Sequence, residues 1–331
     1  MCEVALMKIA FFDSKPYDEE FFGAYESDAL KMKFFETKLN LDTVSLSSGY
    51  DVVCAFVNDV VNAQVIDKLC EYGVKLIALR CAGYNNVDLK HAKGKIGVVR
   101  VPAYSPYAVA EHAIALLLTL VRNTHKAYVR TKSFNFSLNG LLGFDLYKKT
   151  VGIIGTGKIG NIFANICKGF GMRVLAYDKF PNPSLEIEYA SLDDVMKNSD
   201  VISLHCPLTE ESYHLIDKKA ISTMKTGVII VNTSRGALVN AEALLEGIRT
   251  KKIGGACLDV YEEESELFFE DNSNLIVNDD TIALLMTMPN VIVTSHQAFF
   301  TKEALLNIAE TTINNINDYL TTGSCENEVI K

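Results

Sequence analysis

The most constraining stretch of the chain is Thr150-Val151-Gly152-Ile153-Ile154, which runs straight into Gly155-Thr156-Gly157-Lys158-Ile159-Gly160. A near-continuous aliphatic run reads as a strand covered on both faces. The glycines after it have G-x-G-x-x-G spacing where a helical pattern begins. Each glycine has its own physical task. Gly155 permits a tight turn, Gly157 lets the backbone approach a pyrophosphate, and Gly160 lets helix and strand pack closely. The helix N-terminus then offers unpaired N–H groups and the positive end of its dipole to the anion. The junction predicts a βαβ unit in a parallel sheet, with a dinucleotide held by Gly155, Thr156, Gly157, Lys158, Ile159 and Gly160.

The next β run, 173–177, is closed by Asp178, about twenty residues beyond the glycines. A carboxylate there accepts hydrogen bonds from the adenosine ribose hydroxyls and repels a 2′-phosphate. Two unit charges about 4 Å apart at an effective dielectric near 20 interact by roughly 4 kcal/mol. Solvation reduces that figure but keeps its sign, so NAD is the expected cofactor rather than NADP.

The rest of the chain alternates short β runs with helical stretches, the pattern of an α/β fold with parallel sheets. Before residue 150 the expected strands are 8–12, 51–57, 76–79 and 98–101, with helices at 17–36, 62–71 and 87–93. After it, strands are expected at 150–154, 173–177, 201–204, 228–231, 255–258 and 291–294, with helices at 158–170, 192–198, 217–223 and 241–249. Between the two groups, 106–123 reads as a helix without a polar stripe, buried nearly all round, between domains or in a subunit interface. A last helix is expected at 302–319. The 331 residues suit about two domains.

Composition narrows the function classes. A net charge of −9 argues against a protein built to grip nucleic-acid backbones. No apolar run approaches the roughly 18 residues of a membrane span, and no basic region precedes the apolar start, so a cytoplasmic chain is expected. Residues 1–6 read as an extension ahead of the first strand. The eight cysteines are scattered, with no C-x-x-C and no metal spacing. They read as reduced core fillers, and no metal is expected.

Ligands of open α/β sheets sit outside the carboxyl ends of the strands. After 228–231 comes Asn232-Thr233-Ser234-Arg235-Gly236. After 255–258 comes Asp259-Val260-Tyr261, followed by Glu262, Glu263, Glu264 and Glu266 crowded in one loop. After 291–294 comes Ser295-His296-Gln297. Thus an Arg, an acidic group and a His could meet in one crevice, with the acidic group open among several. That set fits hydride transfer to a 2-oxo acid. A His near neutral pKa serves as acid or base, a neighbouring carboxylate favours its imidazolium, and Arg offers a two-pronged hold on a substrate carboxylate. His205, at the end of 201–204 and followed by Cys206-Pro207, reads as lining the cofactor site.

With these residues in place, the sequence resembles the D-isomer-specific 2-hydroxyacid dehydrogenases nearly end to end. The matching segments are residues 80–88, 101–106, 110–113, 155–160, 231–238, 259–262 and 296–299. Within the family it is most similar to the bacterial fermentative branch that reduces pyruvate to D-lactate. The resemblance implies that Arg235 binds the substrate carboxylate, that Glu264 pairs with His296, and that His296 donates the proton. It implies cofactor contacts from Asp259 at the nicotinamide end, and from Thr233 and Ser234. Backbone N–H groups near Ala82 and Gly83 would complete the carboxylate site, with Tyr104 and Phe299 beside the substrate. The implied fold is two doubly wound, Rossmann-like parallel-sheet domains with the active site in the cleft between them. A flavodoxin-like substrate domain would comprise residues 1–103 and 299–331. An NAD-binding domain would comprise 104–298, with hinges near Pro102 and Ala298. The expected partners are a small 2-oxo or 2-hydroxy acid and a second copy of the chain, as homodimer or homotetramer.

Two other readings stay open at this point. One is a relative acting on 2-oxobutyrate, a branched 2-oxo acid, glyoxylate or hydroxypyruvate, since one methylene in a pocket is worth only about 1–3 kcal/mol. The other is an NADH-sensing, corepressor-like binding protein with the same fold.

Overall fold

Short aliphatic runs become strands, and the helices between them cover both faces of two parallel sheets. The computed structural model describes residues 6–263 and 267–330. The chain forms two units, Met1–Ser105 with Thr301–Lys331, and Pro106–Phe300.

In the first unit the strands are β1 (Met7–Phe11), β2 (Leu30–Phe34), β3 (Val52–Ala55), β4 (Leu76–Leu79) and β5 (Gly97–Arg100). They lie in the order β2-β1-β3-β4-β5, all parallel. That is the flavodoxin-like order, with its switch point between β1 and β3. One expectation fails here. In place of a single helix over 17–36 there is a helix at Pro16–Gly23 and then β2. In Leu30-Lys31-Met32-Lys33-Phe34 the buried end, Leu30, is followed by lysines that turn outward. The alternation has period two, and charged side chains are tolerated on an edge strand. The last helix, Lys302–Thr322, belongs to this unit. Its Asn315 amide donates to the Arg100 carbonyl at 2.8 Å, and its Asn307 amide donates to the Tyr104 carbonyl at 2.7 Å.

In the second unit the strands are β6 (Thr150–Ile154), β7 (Arg173–Tyr177), β8 (Glu188–Tyr189), β9 (Val201–Leu204), β10 (Val228–Asn232), β11 (Ile253–Leu258) and β12 (Val291–Val293). The order is β12-β11-β10-β9-β6-β7-β8, all parallel. This is the Rossmann arrangement extended by one strand, with the order reversing between β6 and β9. Both faces are buried, as the aliphatic runs require. Val228 and Ile230 of β10 join one apolar cluster, while Ile229 and Val231 join the other.

The helix Pro106–Arg122 packs inside this unit. Its Ala113, Ile114 and Leu117 share a cluster with Val151 of β6 and Phe163 of the following helix. Much of its apolar face is thereby buried within its own unit. The exposed apolar surface lies just beyond it: the helix Thr124–Lys132 buries no residue, and Phe134, Leu138 and Leu142 are each more than four-fifths exposed.

All described cysteines are free. Burial pushes the thiols of Cys54 and Cys167 up to about 12, which keeps them protonated and inert. Among the described residues no group of His, Cys, Asp and Glu is arranged to hold a metal, and no helix is long and apolar enough to cross a membrane.

Candidate active site

The turn after β6 is built as its glycines require. Gly155 has φ +96°, and its N–H donates to the Tyr177 carbonyl at 2.9 Å. A Cβ on Gly155 would lie 2.5 Å from the His205 carbonyl oxygen, and one on Gly160 would lie 2.0 Å from the Gly155 carbonyl oxygen. Gly157 differs: an added Cβ would meet nothing within 4 Å. Gly157 is also the N-cap of the helix Lys158–Gly169, and no side chain caps that helix. Helices elsewhere in the unit start on Ser191, Asp217 and Asn240, whose side-chain oxygens accept from the first turn. The glycine-led terminus thus keeps unpaired N–H groups facing open space, the arrangement that binds anions. Lys158 is exposed at this end, and Ile159 packs down against the core.

Asp178 stands at the end of β7. Its Oδ2 accepts from the Thr156 N–H at 2.6 Å and from Thr156 Oγ1 at 3.0 Å, and its Oδ1 accepts from the Phe180 N–H at 2.8 Å. Two carboxylate oxygens offer about four lone pairs, so Oδ1 keeps one for a ribose hydroxyl. A cavity of about 720 Å³ opens here, with Gly155, Gly157, Tyr177, Asp178, His205 and Pro207 among its walls. That size suits a nucleoside. His205 is neutral scenery in it. Burial pushes its imidazole down to about 4, and its Nε2 pairs with Ser203 Oγ at 2.8 Å. Cys206 also lines the cavity, its thiol pushed up by burial to about 11.

Beyond β10 the chain turns sharply through Thr233–Gly236. Asn232 is buried and holds the turn: its amide donates to the Arg235 carbonyl at 2.8 Å, and its Oδ1 accepts from the Ser234 N–H at 3.1 Å. Ser234 Oγ donates to the Cys206 carbonyl at 2.7 Å, tying this turn to the cofactor cavity. Thr233 Oγ1 is buried with no partner among the described residues, a polar atom that a ligand would satisfy. Arg235 is half-buried. Its Nη1 donates to the Ser234 carbonyl at 2.7 Å, and among the described residues it has no carboxylate partner.

β11 and β12 place the other two turns beside this one, in register Asn232↔Leu258 and Leu258↔Val293. Asp259 is fully buried. Its Oδ1 accepts from Thr294 Oγ1 at 2.6 Å and the Gln297 N–H at 2.9 Å, and its Oδ2 accepts from the Ala298 N–H at 2.8 Å. His112 Nε2, from the helix Pro106–Arg122, is 3.2 Å from the same Oδ1. Burial alone would raise this carboxyl, but bonds from His112, Thr294 and Ala298 outweigh burial and hold it below the usual range. The Asp259 carboxylate thus braces the turn that carries His296. The Asp259 carbonyl accepts from the His296 N–H at 2.7 Å, and His296 takes φ +53°. A left-handed non-glycine residue persists only where its surroundings over-determine it.

The crowded acidic loop separates into roles. Glu262 pairs with His214 and accepts from Tyr213 Oη at 3.4 Å, so it is committed to structure. Glu263 is exposed. Glu264, which the resemblance pairs with His296, and Glu266 lie outside the described residues. Phe269, from the same loop, packs its ring 5.8 Å from that of His296.

In the first unit, Ala82 and Gly83 follow β4. Their carbonyls are engaged, by Arg100 Nη1 at 2.8 Å and Cys81 Sγ at 3.3 Å. Their N–H groups are not bonded within the described residues, which leaves two donors for an anion. Tyr104 is half-buried after β5. Phe299 is buried against Phe300 at the end of the second unit. His112 and Thr294 were not singled out for the site by sequence. The available signal was a lone histidine on a mostly apolar helix.

Comparison with known proteins places the chain in a family. Residues 114–298 match the NAD-binding domain of the D-isomer specific 2-hydroxyacid dehydrogenases. The chain is 51% identical to a 2-hydroxyacid dehydrogenase homolog of Haemophilus influenzae over 98% of its length and 99% of that protein. It is 49% identical to the D-lactate dehydrogenase of Escherichia coli over 98% of its length and all of that protein. Among solved structures, the pyruvate reductase of Chlamydomonas reinhardtii superposes with TM-score 0.91 at 44% identity, covering 96% of this chain and 97% of that one.

Proposed function

The chain belongs to the D-isomer specific 2-hydroxyacid dehydrogenases, and from that premise we propose that it reduces pyruvate to D-lactate, with His296 as proton donor and Arg235 holding the substrate carboxylate. It is an NAD-dependent enzyme. NADH, when bound, supplies the hydride. The described residues fit that cofactor: an uncapped helix terminus over Gly157 for the pyrophosphate, Asp178 for the ribose, and the unpartnered Thr233 hydroxyl beside the turn.

The observation that carries the reading is Arg235, a half-buried guanidinium without a carboxylate partner among the described residues, one strand from the Asp259 turn and two from His296. A guanidinium so placed favours an anionic ligand, and its fork fixes a carboxylate in one orientation. That hold keeps the adjoining carbonyl from rotating. Protonated His296 then gives its proton to the carbonyl oxygen as the alcohol forms. Glu264 is assigned to stabilise the imidazolium, and the N–H groups of Ala82 and Gly83 to bind the substrate carboxylate. Tyr104 and Phe299 are assigned to bound the methyl side of the substrate.

We assign the first unit to the substrate and the second to the cofactor. Self-association belongs to the same reading. Tyr128, Phe134, Phe136, Leu138 and Leu142 form an apolar stretch too exposed for a lone chain, and a second copy is its assigned cover. Free thiols at every described cysteine suit a reducing, cytoplasmic setting.

The test is loss of NADH absorbance with pyruvate, 2-oxobutyrate, phenylpyruvate, glyoxylate and hydroxypyruvate, with chiral analysis of the product. Highest kcat/KM on pyruvate with D-lactate formed is the expected result. Preference for another acid overturns the substrate, and tight NADH binding without turnover favours a sensor.

A further inference from the structure

We propose that His112 is a positioning residue for His296, acting through Thr294 and the carboxylate of Asp259. The inference rests on the reading of His296 as the proton donor.

Nothing in the chemistry described so far uses His112. It sits on the helix Pro106–Arg122, between Glu111 and Ala113, with its side chain 18% exposed. Its Nε2 is 3.2 Å from both Thr294 Oγ1 and Asp259 Oδ1. The hydrogen positions follow from donor counting. An ionised carboxylate only accepts, and the single Thr294 hydroxyl proton goes to Asp259 Oδ1 at 2.6 Å. The His112 Nε2 must therefore carry a proton and donate toward both oxygens. That assigns the tautomer from the network.

Asp259 passes this constraint on. It is fully buried, and its two oxygens take the backbone N–H groups of Gln297 and Ala298, while its carbonyl takes that of His296. Three consecutive N–H groups of the His296 turn thus end on one residue. His296 itself has φ +53°, a conformation held only by such surroundings. Removing His112 frees one acceptor site on Oδ1, lets the carboxylate rotate, and shifts the turn that aims the imidazole. A displacement on the order of 1 Å at a proton donor costs roughly a hundredfold in rate.

The test measures kcat, KM for pyruvate and the NADH dissociation constant for the wild type and for His112→Phe, His112→Gln and His296→Ala. The phenyl ring fills the imidazole space without a donor, whereas the Gln amide nitrogen can donate to Asp259. His112→Phe is expected to lower kcat about tenfold to a hundredfold with NADH binding within about twofold of wild type. His112→Gln is expected to recover to within a few-fold. If the Phe variant does not fold, Thr294→Val removes the other side-chain donor to Oδ1 and carries the same expectation. A wild-type kcat in the donor-less variant, a Gln variant as impaired as the Phe variant, or parallel loss of NADH binding overturns the inference. An active His296→Ala instead overturns the proton-donor reading. An inactive His296→Ala beside a wild-type-like His112→Phe leaves that reading standing and removes this one.

Discussion

Replacing Gly157 by Ala should weaken NADH binding and spare the fold, whereas replacing Gly155 by Ala should damage both. At Gly157 the backbone is φ −61°, ψ −168°, open to any residue, and the added Cβ meets nothing within 4 Å. The folding cost is therefore near zero, or a gain of about 0.4–1 kcal/mol from a less flexible unfolded chain. The methyl group instead enters the space through which a pyrophosphate must approach the helix terminus. Loss of one charge-assisted hydrogen bond there is worth about 1.5–3 kcal/mol, a tenfold to hundredfold rise in dissociation constant. At Gly155, φ +96° alone costs an L-residue about 1–2 kcal/mol. The new Cβ also lies 2.5, 2.6 and 2.7 Å from His205 O, His205 C and Cys206 N, all backbone. Forcing them apart adds about 1–3 kcal/mol. The sum, about 2–5 kcal/mol, lowers Tm by roughly 5–15 °C in a unit of this size. Thermal unfolding by circular dichroism, run beside a fluorescence titration with NADH, separates the two. Wild-type NADH affinity in Gly157→Ala, or a wild-type Tm in Gly155→Ala, would refute the division of labour.

Asp178→Ala should raise the NADPH/NADH ratio of kcat/KM at least tenfold, because the carboxylate that repels a 2′-phosphate is gone; an unaltered ratio removes its ribose role. Arg235→Lys should raise KM for pyruvate by about ten- to a hundredfold and leave NADH affinity alone, since an ammonium cannot reproduce the two-pronged hold. Steady-state kinetics decide that, and an unchanged KM counts against the carboxylate assignment. Asp259→Asn should cost about 1–3 kcal/mol at neutral pH by leaving a buried N–H unsatisfied. The Asp259 carboxyl is held below its ordinary range, so its stabilisation is complete above about pH 4 and fades only as pH falls through that lowered value. Urea titrations across pH should show the wild-type advantage persisting to pH 5, and a gap that closes between pH 7 and 5 contradicts the network.

Where the sequence was legible, the reason is physical. β6, β7 and β9 fall within the expected limits because Thr150–Ile154, Arg173–Tyr177 and Val201–Leu204 are aliphatic runs bounded by turn residues, and burial on both faces leaves them no other role. The glycine junction was readable for the same reason, since each glycine answers a separate steric demand. β2 was misread because Lys31 and Lys33 break the apolar signal in a stretch that also suits a helix. β8 is two residues long and exists only by pairing with β7. The strand-end logic pointed to Arg235, Asp259 and His296, yet not to the bonds that Asp259 makes within its own unit. Its partner His112 comes from a helix far away in the chain, and no local pattern announces that meeting. The acidic loop shows the same limit: Glu262 is drawn to His214 by a fold-level contact that spacing alone does not encode.

The most direct test of the central claim is single-turnover oxidation of bound NADH by pyruvate in His296→Ala against the wild type. The account predicts a rate lower by about 10²–10⁴-fold with NADH still bound at wild-type affinity. A wild-type rate in that variant would contradict the assignment of His296 as the proton donor.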